Sequence, residues 1–195
     1  MGDGYVRTCS KKPFIAANMI ARTYLEHLSS EVFPICSKDV TLKRTAQEMV
    51  EKNRDNGFRP NAKVENYSDI YSWGTVCHPE LRQYEKWYST GEKVFPEDID
   101  LTPTVLKHWH CGDGSLQKGK WAVITLTNER ENKDKIENIF NRVGLEDFFW
   151  DEYERANKEG YKCEIVFRQE GTKNFFEHIG KPLPGFKYKW PENRR

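Results

Sequence analysis

Apolar positions along this chain fall into two periods, and the switches between them sketch its elements. Spacing of three and four runs through Tyr24, Leu25, Leu28 and Val32, and again through Ile136, Ile139, Phe140 and Val143. Each run predicts an amphipathic helix. Period two is clearest at 162–168, where Cys163, Ile165 and Phe167 share one face and Lys162, Glu164 and Arg168 the other. That alternation predicts a half-buried strand with one face free for solvent or a ligand. A strand-like run at 70–76 leads into a predicted helix at 79–88, as strand 162–168 leads into one at 173–179. The polar stretch 37–66 predicts a helix and a long loop particular to the first part.

The sharpest boundary signals lie at 102–114. Thr102 is a good N-cap and Pro103 suits the first helical position, where a missing N–H costs nothing. Val105, Leu106 and Trp109 supply the apolar face, and Gly112 and Gly114 are expected to end the helix.

The chain also repeats itself. Gly2-Asp3-Gly4 recurs as Gly112-Asp113-Gly114, 110 positions later. The same offset sets Phe14-Ile15-Ala16-Ala17 against Ile124-Thr125-Leu126-Thr127 and Asn18 against Asn128, with no gap needed. Each half then reads strand, strand, helix, strand, with a final strand or turn and helix, and the halves are expected at 1–96 and 97–195.

Composition narrows the class. With 37% hydrophobic and 13% aromatic residues a sizeable core can form, and no stretch approaches the roughly 20 apolar residues of a membrane helix. No secretory signal precedes the first motif, which points to an intracellular protein. Five cysteines without a C-x-x-C pair argue against a disulfide framework or closed zinc site, and for a reducing setting. His108 and His110 lie two apart on the predicted helix, so they face different ways and read as packing residues. A formal net charge of +1 is low for a nucleic-acid binder, although Lys181, Lys187, Lys189, Arg194 and Arg195 make the C-terminal end basic.

Asp113 at a helix C-terminus faces the negative end of the macrodipole, the unfavourable end for a carboxylate. A lone aspartate there is usually a solvated turn residue. Two such acids, brought together by packing of two related helices, repel unless cations lie between them. Hard oxygen ligands with open positions suit Mg²⁺, which keeps waters and takes other ligands from phosphate. Such a site can activate water for in-line attack on a phosphodiester.

Leu101-Thr102-Pro103, followed by Leu106 through Trp109 to Gly112-Asp113-Gly114, resembles the second motif helix of the single-chain LAGLIDADG homing endonucleases. Lys93-Val94-Phe95-Pro96 is similar to the stretch that closes the family's first half, and 186–191 to its counterpart in the second. The resemblance implies an α+β fold of two pseudo-symmetric αββαββα halves, their antiparallel sheets forming a saddle over double-stranded DNA. It implies a monomer, a pseudo-dimer in one chain, that cuts DNA site-specifically with Mg²⁺ or Mn²⁺ and is encoded in an intron or a free-standing mobile element. Asp3 and Asp113, with Gly2 and Gly112, become the metal-site residues, and Lys93 and Lys189 the basic residues that orient water and stabilise phosphate charge. DNA contacts are expected from Arg7, Lys11, Gln117, Lys118, Lys120, Lys162, Arg168 and Gln169 as a set. Two departures stand out. The sequence begins two residues before Asp3, so the first motif helix is expected to be cut short, and Lys107 stands where the family usually has a small residue. The alternative reading is a relative that binds nucleic acid without cleaving it, an RNA-splicing maturase or a transcription regulator.

Overall fold

The glycine that follows each aspartate starts a strand. In the computed structural model, which describes residues 4–7, 13–88, 95–96, 98–154 and 161–191, Gly4 opens β1 (Gly4–Arg7) and Gly114 opens β5 (Gly114–Gln117). Each turns back into a longer partner, β2 (Phe14–Met19) and β6 (Trp121–Thr125). The chain divides into two compact units, one within 3–88 and the other within 89–195. Each unit holds one four-stranded antiparallel sheet, β1-β2-β4-β3 in the first and β5-β6-β8-β7 in the second. The result is the α+β architecture with two antiparallel sheets that the family resemblance implies.

Pairing corrects the register of that repeat. Gly4 pairs with Ala17 and Gly114 with Ile124, so residues 8–13 separate the paired Arg7 and Phe14, whereas 118–120 separate Gln117 and Trp121. The first connection is three residues longer. After the hairpin, Ala17 therefore corresponds to Ile124 and Asn18 to Thr125, an offset of 107, and the gapless match of Asn18 to Asn128 is wrong. Loop length changes without disturbing either strand, which is why a constant offset misleads here.

In the first unit, α1 (Arg22–His27) continues as a π-helical turn, Leu28–Val32, and buries Tyr24, Leu25 and Leu28. The stretch 37–66 holds more than a helix and a loop. Thr41–Arg44 forms β3, and α2 (Ala46–Asp55) starts at a capping box in which Thr45 and Glu48 satisfy each other's backbone N–H. Strand β4 (Ile70–Gly74) lies between β2 and β3, and Trp73 is buried with its ring against Phe33. The expected helix at 79–88 is 3₁₀ rather than α.

In the second unit, α3 (Pro103–Asp113), α4 (Lys133–Arg142) and α5 (Gln169–Ile179) accompany the sheet. Strand β7 (Phe148–Glu154), which the apolar pattern does not reveal, pairs along its whole length with β8 (Tyr161–Phe167). The core gathers around Phe140, whose ring lies 5.7 Å from both Phe148 and Phe167 and 6.0 Å from Trp109. Strand β8 is not half-buried as expected: Glu164 and Val166, on the face read as free, are 1% and 3% exposed. Arg168 leaves the strand altogether. It is the N-cap residue of α5, which begins at Gln169, four residues before the predicted start. Asp147 fixes this turn, accepting from Gly171 N at 2.8 Å and pairing with Arg168 at 3.2 Å.

Candidate active site and sheet face

Helix α3 carries Asp113 as its last residue. The N-cap works as its sequence predicts, with Val105 N donating to Thr102 Oγ1 at 3.2 Å. At the other end the helix runs through Gly112 rather than stopping there, and Gly114 is both its C-cap and the first residue of β5. No loop intervenes. Asp113 is therefore directly followed by the first residue of β5.

Gly114 is needed for space, not for a left-handed turn. Its φ is −87°, which any residue adopts, but a Cβ on it would lie 2.0 Å from His110 Nδ1 and 2.4 Å from His110 O. Gly114→Ala should cost the second unit about 2–3 kcal/mol through this overlap. Urea unfolding followed by tryptophan fluorescence measures it, and an unchanged midpoint would refute the steric account.

His110, directly beneath, is fully buried, its ring edge-on to Phe175, Phe176 and Trp190 at 5.1–5.4 Å. Nε2 lies 3.5 Å from Lys189 O, and Nδ1 has no hydrogen-bond partner. Burial in this aromatic cage lowers the imidazole pKa to about 4, and the Lys189 charge adds to the shift. The folded protein then binds the proton less readily than the unfolded chain. Stability from this group is complete above the free histidine value of 6.5 and is lost as pH falls from there towards 4. The window spans about 2.5 pH units, or about 3 kcal/mol. Urea midpoints at pH 7 and 4.5 test this, since His110→Leu should flatten the pH dependence; an equal slope in the variant would dismiss it. Burial also pushes the Cys111 thiol up to about 12, so it stays protonated and is a poor metal ligand.

Lys189 approaches the same helix end from the C-terminal segment. It is only 9% exposed, and Nζ donates to Cys111 O at 2.6 Å, Gly112 O at 3.3 Å and His110 O at 3.4 Å. A cation on the last carbonyls of a helix contributes up to about 2 kcal/mol when partly buried. Trp190, next in sequence, donates from Nε1 to Gly180 O at 2.8 Å and ties the segment to the end of α5. Lys107 points its ammonium towards the same helix end, 4.0 Å from where a Cβ on Gly180 would stand.

Of the remaining acid and metal-site expectations, Gly2, Asp3 and Lys93 lie outside the described residues, as does Lys11. Among the described residues no cluster of three or more His, Cys, Asp or Glu could hold a metal ion. Asp113 offers one carboxylate, and Gly112 a carbonyl with a lone pair beyond the one facing Lys189. Both are hard oxygens, a partial donor set that suits Mg²⁺ or Mn²⁺ with waters and phosphate filling the shell.

Strand pairing defines the sheet face opposite the helices. Gln117, Trp121, Thr125, Glu164, Lys162 and Tyr153 follow one another across that face through the pairs Gln117↔Trp121, Thr125↔Glu164 and Lys162↔Tyr153. Lys118 and Lys120 flank the hairpin tip, both exposed, with Lys118 at a positive φ of 49° and its ammonium 5.3 Å from the Trp121 ring centroid. The structure thus brings Gln117, Lys118, Lys120 and Lys162 to one sheet, while Arg168 and Gln169 sit at the start of α5. Arg7 is placed on β1 of the other sheet.

Sequence reasoning missed the group that holds Lys162. Glu164 accepts from Thr125 Oγ1 at 2.9 Å and Tyr153 OH at 3.5 Å, and pairs with Lys162 Nζ at 2.8 Å. Partner contacts outweigh burial and raise the Lys162 pKa. These partners come from three different strands, so no local signal marks them. The row Thr125–Glu164–Asp151 has its counterpart in the first sheet, Asn18–Ser72–Thr41, which carries no charge.

The chain belongs to the LAGLIDADG DNA endonuclease family, whose sequence pattern matches residues 1–175. Its fold is similar to that of the homing endonuclease I-WcaI, solved bound to its DNA recognition sequence. That likeness covers 97% of this chain and 81% of the other, at a TM-score of 0.66 and 17% identity. A variant of I-DmoI, solved with its nicked target DNA in the presence of manganese, aligns over 92% of this chain and 89% of its own, with a TM-score of 0.49 and 9% identity. A protein of Methanocaldococcus jannaschii called uncharacterized protein MJ1098 is 27% identical over 119 residues. That match takes in 60% of this chain but 46% of the relative, so the chain spans about half the length of the curated protein it matches. No helix among the described residues is long and apolar enough to cross a membrane.

Proposed function

We propose that this protein is a site-specific double-strand DNA endonuclease that hydrolyses phosphodiesters with a divalent ion, Mg²⁺ or Mn²⁺. The observation that carries the reading is Asp113 at the end of a complete helix that passes without a loop into β5. The acid that cuts is thereby coupled to the strand face that recognises. Asp113 and the Gly112 carbonyl are the residues proposed to hold an ion in the second motif, and Asp3 and Gly2 are proposed for the same role in the first. When bound, the ion supplies an activated water and offsets charge on the leaving oxygen. Asp113 itself orients that shell, and Lys93 stabilises charge on the scissile phosphate.

Recognition is assigned to the sheet faces that lie away from the helices and to the hairpin lysines. Gln117 is suited to adenine edges, while Lys118, Lys120, Arg7 and Lys11 serve as phosphate or guanine contacts. Lys162 is held in place by Glu164, which suits a fixed base contact better than a mobile phosphate anchor. Arg168 and Gln169 contribute from the start of α5. The motif-bearing halves read from the repeat, 1–96 and 97–195, are each assigned part of the contact with duplex DNA, and a monomer is the proposed working form.

A selection tests this directly. The protein is incubated with Mg²⁺ and a plasmid library carrying a randomised duplex insert, and cut molecules are sequenced. Convergence of the cut ends on one sequence is expected. A bound consensus without any cut molecules, with Mg²⁺ or Mn²⁺, would instead identify a non-cleaving relative such as a maturase or regulator. Neither binding nor cutting would sink the proposal.

A further inference from the structure

Strand β7 places Phe149 on the sheet face away from the helices. Its neighbours Phe148 and Trp150 turn the other way, towards Phe140 and Glu137 of α4. Pairing continues the row from Phe149 through Val166 to Val123. The two valines are 3% and 0% exposed, whereas Phe149 is 42% exposed. The corresponding pair in the first sheet is Ala16 and Gly74, so this apolar row belongs to the second unit. A single exposed phenylalanine is common and by itself marks nothing. Here the Arg168 guanidinium stands over its ring, 5.4 Å from the centroid. That guanidinium is anchored, with Nη1 donating to Asp147 Oδ1 at 3.2 Å and to Phe148 O at 3.1 Å. Nε and Nη2, its side edge, have no acceptor among the described residues. An arginine with one nitrogen tied down and two parallel donors left over is preset for a flat partner with two acceptors.

We propose that Phe149 and Arg168 read a guanine beside a thymine in the DNA target. Arg168 donates from Nε and Nη2 to guanine O6 and N7, and the Phe149 ring packs against the thymine methyl. The proposal rests on the reading of this sheet face as a surface that meets duplex DNA, and it names a base step where that reading names only a surface. In the major groove guanine offers two adjacent acceptors, and thymine is the base that carries a methyl. A phosphate could also accept from the guanidinium, but it offers nothing to the ring. The Asp147 and Phe148 anchors hold the guanidinium before DNA arrives, which lowers the cost of ordering it on binding.

The full chain is tested on the duplex recovered by the selection above, with Ca²⁺ in place of Mg²⁺ during gel shifts. Each thymine is replaced singly by deoxyuridine, which deletes only the methyl, and each guanine by 7-deazaguanine, which deletes N7. One thymine should show an affinity loss of about fourfold, the worth of one desolvated methyl. A guanine next to it should show a loss of about tenfold. In F149A the deoxyuridine effect at that thymine should vanish while the 7-deazaguanine effect persists, and R168A should do the reverse. Phe149 is exposed, so F149A should keep the fold. If R168A, at the head of α5, does not fold, the wild-type and F149A panels decide. A duplex without such a thymine and guanine overturns the proposal, as does an equal deoxyuridine loss in wild type and F149A. Either result, with a wild type that still cuts, leaves the endonuclease reading standing. A wild type that neither binds nor cuts any duplex refutes that reading and this proposal with it.

Discussion

Asp113→Asn is expected to lower cleavage about a thousandfold while leaving the protein slightly more stable. The amide keeps the volume of the carboxylate but not its charge, so it is a far weaker ligand for a hard divalent ion. The loss in single-turnover cleavage should be on the order of 10³-fold, about 4 kcal/mol of barrier. Stability moves the other way. Asp113 closes α3 at the negative end of its dipole, and removing that charge should gain about 0.5 kcal/mol. Opposite signs in the two measurements separate a residue kept for chemistry from one kept for folding. Affinity for the duplex, read by gel shift with Ca²⁺, should change little. A variant that still cuts within tenfold of wild type would remove Asp113 from the site.

Phe140→Ala should cost the second unit about 4 kcal/mol, the cost of emptying a fully buried aromatic position. Phe140 lies on α4 and its ring meets Phe148 of β7, Phe167 of β8 and Trp109 of α3. One side chain thus joins the helix that carries Asp113 to strands β7 and β8 of the sheet. The contacts are edge-on or tilted, the geometry aromatic pairs favour, so leucine at this position recovers only part of the loss. Urea unfolding of the variant, with hydrogen exchange on β8 amides, reads the effect. A shift under 1 kcal/mol would show that the cluster relaxes around the cavity.

These two residues mark the limits of what the chain reveals on its face. Phe140 was legible because Ile136, Ile139 and Phe140 keep helical spacing, and all three are buried on α4. Asp113 was legible because Thr102, Pro103 and Gly114 bracket its helix with local signals that need no tertiary context. Strand β3 was not. Its residues Thr41, Leu42 and Lys43 are exposed, and an edge strand held by backbone pairing leaves no apolar alternation to read. The extra residues of the first hairpin also escaped notice, because they lie between strands and leave both strand patterns intact.

Glu164 shows the same limit in charge. Alternation placed it correctly on the face opposite Ile165, and exposure was the natural expectation for a carboxylate there. Thr125 and Tyr153 reach it only because β6 and β7 pair on either side of β8, at sequence separations of 39 and 11. Once three donors surround the charge, burial is tolerable, and the face loses one of its free lysines to the network.

The sequence by itself determined the repeat, the motif helix with its acid, and the family, since caps, periods and motifs are local or recur at a readable distance. Only the tertiary structure decided what the end of that helix meets. Gly114 is small because His110 lies beneath it, and the carbonyls of Cys111 and Gly112 find their donor in Lys189. Those contacts join residues that no period links, and the requirement to satisfy buried polar groups is settled only when distant segments close on one another.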